Sequence, residues 1–410
     1  MDLAWTLVIL STVVLVSYVF DQIGKRLCIP SVVLLIISGM AIRATTDATG
    51  IAVPMPEQLL PVLGTFGLIL IVLEGALDLE LTWKKSGLIS RTFLSATLGL
   101  MATAFLCAAL LQSFFHVSTL TAWIYATPFA LISSAVVIPA AASLHPRLRE
   151  FVIYESSFSD IVGVLLFYAL LGSQGDLAGS ALQSALSVAI SIVVGVVAAL
   201  TLYGLIKHID THVRFLPMIF GIALLYGIGE LLHLAPLVMV LLVGLLLNNN
   251  RWMSKLPYLR SGDQEEFDIE LDTLKHLTAE FTFVVRTFFF VLLGYSIRLV
   301  ELLDPLAWGL ALVIVACCIV PRLLLVRLVA GEKIDPLVWF APRGLVTILL
   351  ILSIPAGLKI EGFPFATVML VVLIWALLLT IGLIRNRPEE LPVEPIPETE
   401  NLVPQPESQA

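Results

Sequence analysis

Two carboxylates stand five residues apart in an apolar stretch, in the run Tyr154-Glu155-Ser156-Ser157-Phe158-Ser159-Asp160-Ile161-Val162-Gly163. An ionisable group inside such a stretch is costly and by default marks function. On a helix, positions five apart point about 140° away from each other, so Glu155 and Asp160 share neither a face nor a job. Ser156 lies one turn below Asp160 on the same side, and Ser159 lies above Glu155. Each carboxylate needs a partner, either a cation to bind or a fixed arginine.

Upstream, the run Ala130-Leu131-Ile132-Ser133-Ser134-Ala135-Val136-Val137-Ile138-Pro139 adds oxygen donors. Pro139 lacks a backbone N–H and frees a carbonyl one turn earlier, which favours a broken helix. Ser133 and Ser134 bring hydroxyls to that break. Carbonyls, hydroxyls and one carboxylate make an all-oxygen shell suited to a hard cation such as sodium. Asp160 is therefore the candidate cation ligand, with Ser133, Ser134, Ser156 and Ser159 as candidate neighbours. The serines read equally as small residues that let helices pack closely. Pro342-Arg343-Gly344 repeats the theme of a breaker pair beside a charge. Glu74, Glu280 and Arg286 also fall near membrane depth, where Glu74 and Arg286 either pair or snorkel to the interface.

The elements that position these residues must be membrane helices. The chain has 410 residues, 59% hydrophobic and 13% charged, where a soluble domain carries about 25% charged residues. Mean hydropathy is +1.01. Such a chain cannot cover itself with polar residues, so lipid is its solvent. The net charge of -8 comes partly from the loop Asp263–Asp272 and the tail after Arg387, and no basic surface points to nucleic acid. Cys28, Cys107, Cys317 and Cys318 lie in or beside apolar segments without metal-ligand spacing and read as small hydrophobes. The six histidines fall mostly at interfaces and read as solvated side chains. The first apolar segment lacks a basic n-region and reads as a retained span.

About thirteen apolar segments are long enough to cross, at roughly 3–20, 29–45, 58–79, 87–113, 119–143, 151–172, 180–206, 214–231, 234–249, 274–298, 306–328, 335–356 and 362–385. The fold class expected is an all-α polytopic membrane protein. Lys25, Arg26, Lys84, Lys85, Arg147, Arg149, Lys207, Arg214, Arg251, Lys255, Arg260, Lys333, Arg385 and Arg387 fall at alternate connections or the C-terminus. The opposite connections hold only Arg43, Arg298 and Lys359. The positive-inside rule then puts the N-terminus outside and the C-terminus in the cytoplasm. Segment two, IPSVVLLIISG from Ile29, resembles segment nine, APLVMVLLVG from Ala235. Segment three, FGLILIVLEGALDL from Phe66, resembles segment ten, FFFVLLGYSIRL from Phe288. The offset is seven segments, an odd number, so the two copies form an inverted repeat with its ion site near the midplane. Residues 250–273 read as a cytoplasmic loop holding a short amphipathic helix, and 386–410 as a disordered cytoplasmic tail rich in Pro and Glu.

On these residues the chain resembles the monovalent cation/proton antiporters, and most of all the sodium/proton exchangers. Their sixth span carries a glutamate followed by Asn-Asp, where this chain has Glu155 and Ser159-Asp160. Arg322 in CCIVPRLLLV resembles the arginine that pairs with that glutamate, and Arg343-Gly344-Leu345 resembles the family's Arg-Gly motif. The resemblance covers residues 1–387. It implies a structural ion pair between Glu155 and Arg322, supporting roles for Arg343 and Pro139, and a homodimer in the cell membrane. It also implies a moving core (about 87–172 and 306–385) beside a static scaffold (about 1–79 and 180–298). No cofactor is expected beyond the transported sodium or potassium and the proton. The family's Thr-Asp-Pro in span five is replaced by Ser133-Ser134-Ala135, and its Asn by Ser159. That leaves Asp160 as the one strong ligand, which argues for one-for-one, electroneutral exchange and leaves potassium and lithium open beside sodium. A cation channel, a membrane sensor acting through its tail, and an organic-anion carrier are the competing classes.

Overall fold

Inside lipid a backbone must satisfy its own polar groups, and the apolar runs do so as helices. The computed structural model describes residues 3–27, 31–49, 59–141, 144–173, 179–208, 215–232, 234–250, 264–298, 300–330 and 334–385. Its α-helices are α1 (Leu3–Leu27), α2 (Ser31–Thr49), α3 (Leu59–Asp78), α4 (Ser86–Phe115), α5 (Thr119–Ala130), α6 (Ser134–Ala141), α7 (Pro146–Gly172) and α8 (Gly179–His208). They continue as α9 (Phe215–Leu231), α10 (Pro236–Asn248), α11 (Gln264–Ser296), α12 (Pro305–Leu325), α13 (Ile334–Trp339), α14 (Leu345–Leu352) and α15 (Ala366–Arg385). The pairs α5/α6 and α13/α14 are each one apolar segment broken in its middle, so the helices match the thirteen expected segments. Among the described residues, eight stretches are individually long and apolar enough to span a membrane, one of them running across the α5/α6 break. No strand occurs among the described residues.

Phe105 (61% exposed), Leu224 (64%), Val193 (63%) and Leu377 (60%) turn outward from four different helices. Such outward apolar faces suit lipid and not water.

The repeat shows in the packing. If segments two and nine correspond, and three and ten, then contact between α2 and α11 demands its counterpart between α10 and α3. Both pairs pack together. At the first crossing Gly39 sits against the Val291 carbonyl and Gly294 against the Ile36 carbonyl, each too close for a Cβ. At the second, a Cβ on Gly244 would lie 2.7 Å from Ala76 Cβ and 3.1 Å from the Leu73 carbonyl. Gly39 and Gly244 close their respective IPSVVLLIISG and APLVMVLLVG runs. Small residues thus let backbones meet at matching points of the two copies.

One expectation needs adjustment. The amphipathic stretch after residue 263 is not a separate short helix: it continues without interruption into the span as α11. Its buried residues Phe267, Leu271 and Leu274 explain this, since Phe267 packs against Tyr203 of α8 with the rings tilted and their centroids 4.6 Å apart. The tail 386–410, Cys28 and most of the 250–273 loop lie outside the described residues.

Candidate functional site

The site forms where the two broken segments meet. The first break is not at Pro139, which sits inside α6, but at Leu131–Ser133, where Leu131 is extended (φ -66°, ψ 142°). Three successive amides there leave the helix for tertiary acceptors. Ile132 N donates to Ser159 Oγ at 3.0 Å, Ser133 N to the Pro342 carbonyl at 2.9 Å, and Ser134 N to Asp160 Oδ2 at 2.9 Å. These bonds compensate the lost helical ones, which is why the break falls where the acceptors are. The carbonyl that Pro139 frees, Ala135 O, accepts from Arg286 Nη1 of α11 at 3.4 Å.

The second break runs from Phe340 to Gly344, with Pro342-Arg343-Gly344 inside it. A Cβ on Gly344 would lie 2.6 Å from Ser133 Oγ, so the two unwound strands cross in direct contact. Arg343 is buried and donates from Nε to the Phe129 carbonyl at 2.5 Å and from Nη1 to Ala341 O at 2.5 Å. Its guanidinium lies 4.9 Å from the Trp375 ring centre. A cation thus meets the C-terminal end of α5, where unsatisfied carbonyls concentrate negative charge.

Asp160, 7% exposed, receives the first turn of α6 on Oδ2 through Ser134. Among the described residues its Oδ1 has no hydrogen-bond partner, and neither have Ser133 Oγ or Ser157 Oγ, all buried. Asp160, Ser134 and Ser157 line a cavity of ≈ 30 Å³ of water-accessible space, room for about one or two waters or a small ion. Its remaining wall is apolar, from Ile71 and Val72 of α3, Leu237 and Leu241 of α10, and Val346 of α14.

The expected ligands therefore separate. Asp160 and Ser134 meet at the cavity, with Ser133 at the crossing behind them. Ser159 is occupied by Ile132 N, and Ser156 turns its hydroxyl to the Ile153 carbonyl of its own helix at 3.1 Å. Sequence reasoning passed over Ser157. Its position three residues before Asp160 places it on the same helical face, and that spacing was the available signal.

Glu155 faces elsewhere. Its Oε1 accepts from Arg322 Nη1 and from Ser95 Oγ, both at 2.5 Å. Arg322 also donates to Leu337 O at 2.8 Å, so the pair joins α7, α4, α12 and the chain before the second break. Glu74 of α3 faces Arg286 of α11, Thr282 donates its hydroxyl to the Thr278 carbonyl of its own helix at 2.8 Å, and Cys318 Sγ reaches the Phe129 carbonyl at 3.5 Å.

The description of the sodium/hydrogen exchanger transmembrane family matches residues 9–384. No curated protein sequence matches the chain. Among solved structures, the sodium proton antiporter MjNhaP1 from Methanocaldococcus jannaschii at pH 8 superposes with a TM-score of 0.73 at 20% identity, covering 95% of this chain and 100% of that one. A second structure of the same antiporter, from electron microscopy, gives 0.68 at 19% identity, covering 93% and 95%. The fold is shared with that antiporter, and over nearly its whole length the chain belongs to the sodium/hydrogen exchanger family.

Proposed function

We propose that this protein exchanges one monovalent cation, sodium foremost, for one proton across the cell membrane, with both ions competing for Asp160. The observation that carries the reading is the buried carboxylate of Asp160, which lines a cavity together with Ser134 and Ser157 and whose Oδ1 has no hydrogen-bond partner among the described residues. A bare charge in a buried site is unfavourable, so a proton or a cation stabilises the carboxylate and the two exclude each other. Either load leaves the site neutral. The empty, charged site resists crossing, which couples the two fluxes.

The Glu155–Arg322 pair is a fixed brace in this scheme, not a transported-ion ligand. Residues 87–172 and 306–385 form the moving core, 1–79 and 180–298 the scaffold through which the protein dimerises. The N-terminus is outside and the C-terminus cytoplasmic.

The test is proton flux in reconstituted vesicles under an imposed pH gradient, with sodium, lithium, potassium or choline added in turn. Wild type should dissipate the gradient with one alkali cation and Asp160→Asn with none. An imposed membrane potential should leave an electroneutral rate unchanged. Equal flux from both proteins would overturn the assignment of Asp160, and steady current without a pH gradient would favour a channel.

A further inference from the structure

Pro139 lies within α6, so the Ala135 carbonyl one turn earlier lacks the i+4 amide that would normally donate to it. The group that reaches it comes from a different helix, Arg286 Nη1 of α11, at 3.4 Å. Ala135 directly follows Ser134, whose N–H holds Asp160 Oδ2 at 2.9 Å. The same guanidinium faces Glu74 of α3, and its carbon lies 6.0 Å from the Phe283 ring centre.

We propose that Arg286 is a positioning residue for the ion site: by holding the carbonyl that Pro139 leaves open, it fixes the first turn of α6 and with it the Ser134 groups that meet Asp160. This rests on the reading of Asp160 as the ion-binding carboxylate. In a bilayer an orphaned carbonyl cannot turn to water. Without the arginine the short helix α6 must tilt to find another donor, and Ser134 moves with it. Arg286 thus acts on the site through a single peptide unit without touching the ion.

The proline makes the idea testable by rescue. Pro139→Ala returns an amide N–H that Ala135 O can accept within the helix. Initial rates against cation concentration would be measured in vesicles for wild type, Arg286→Met, Pro139→Ala and the double variant, with Asp160→Asn alongside. Loss of one hydrogen bond to a buried group predicts an apparent KM for the cation raised on the order of tenfold in Arg286→Met, with a smaller change in maximal rate. Pro139→Ala alone should change little, and in the double variant KM should return toward wild type. A double variant as impaired as Arg286→Met would overturn the proposal, because the arginine would then act by charge on Glu74 or Asp160. Wild-type KM in Arg286→Met would overturn it too. If Arg286→Met fails to fold, the double variant should fold and transport, and its failure to do so counts against the proposal. Transport by Asp160→Asn would instead remove the reading of the site itself.

Discussion

The N–H of Ser133 donates to the carbonyl of Pro342 at 2.9 Å, so each broken segment satisfies a backbone group of the other. Unwound backbone survives at membrane depth only where protein or a wet cavity meets its polar groups. Here protein meets them, and Ser134 on one side of the crossing donates to Asp160 beside the cavity.

That crossing needs a glycine. A Cβ at position 344 would lie 2.6 Å from Ser133 Oγ and 3.0 Å from Ser133 Cβ. Gly344→Ala should push the two strands apart, costing about 1–3 kcal/mol by overpacking. Expected are a lower melting temperature in detergent and a raised KM for the cation. Gly357→Ala, with open space around it, is the control and should change neither. Matching behaviour of the two variants would mean that the strands do not meet as described.

The Glu155–Arg322 pair predicts a different phenotype. Removing one member of a buried pair leaves the other charge uncompensated and typically costs about 3–5 kcal/mol. Glu155→Gln should therefore lower thermal stability strongly, and Ser95→Ala, which removes one donor, more weakly. Because neither residue lines the cavity, protein that folds should keep its cation selectivity. A Glu155→Gln variant with wild-type melting and altered selectivity would make Glu155 an ion ligand instead.

Much of this architecture was legible in the sequence because lipid imposes a single length and a single secondary structure on apolar runs. The spans, the repeat and the separation of Glu155 from Asp160 follow from spacing alone. The break in the fifth segment was legible as an event but not as a place. Pro139 announced it, yet the acceptors Ser159, Pro342 and Asp160 decided its position, and they come from elsewhere in the chain. For the same reason Ser156 looked like a ligand by helical phase, whereas its hydroxyl is absorbed by its own backbone. Hydroxyls of serine have that local choice, and periodicity does not reveal which way they turn.

Packing of the repeats gives a prediction with opposite signs. Alanine is favoured over glycine inside a helix by about 1 kcal/mol, so Gly309→Ala on α12, with open space around it, should be neutral or stabilising. Gly294→Ala should destabilise, because its methyl would run into the Ile36 carbonyl of α2. Thermal melts of the two proteins in one detergent make the comparison. Stabilisation by both would show that α2 and α11 do not approach this closely.

Competition at one carboxylate also fixes the sign of the pH dependence. Falling pH protonates Asp160 and removes the charge that holds the cation, so the cation must compete with a rising proton concentration. With equal pH on both faces of the vesicle, the apparent KM should be flat at high pH. Below the midpoint of the carboxyl it should rise by about tenfold for each unit of pH. Saturating cation should recover the rate, since the two ions exclude each other at one place. A separate pH sensor, such as a histidine at the interface, would act otherwise: the maximal rate would fall with pH and excess cation would not restore it. His276, exposed and 3.5 Å from Asp272, is the kind of group that could do so. His276→Gln should therefore leave the slope of KM against pH unchanged, while a lost slope would move pH control from Asp160 to the surface.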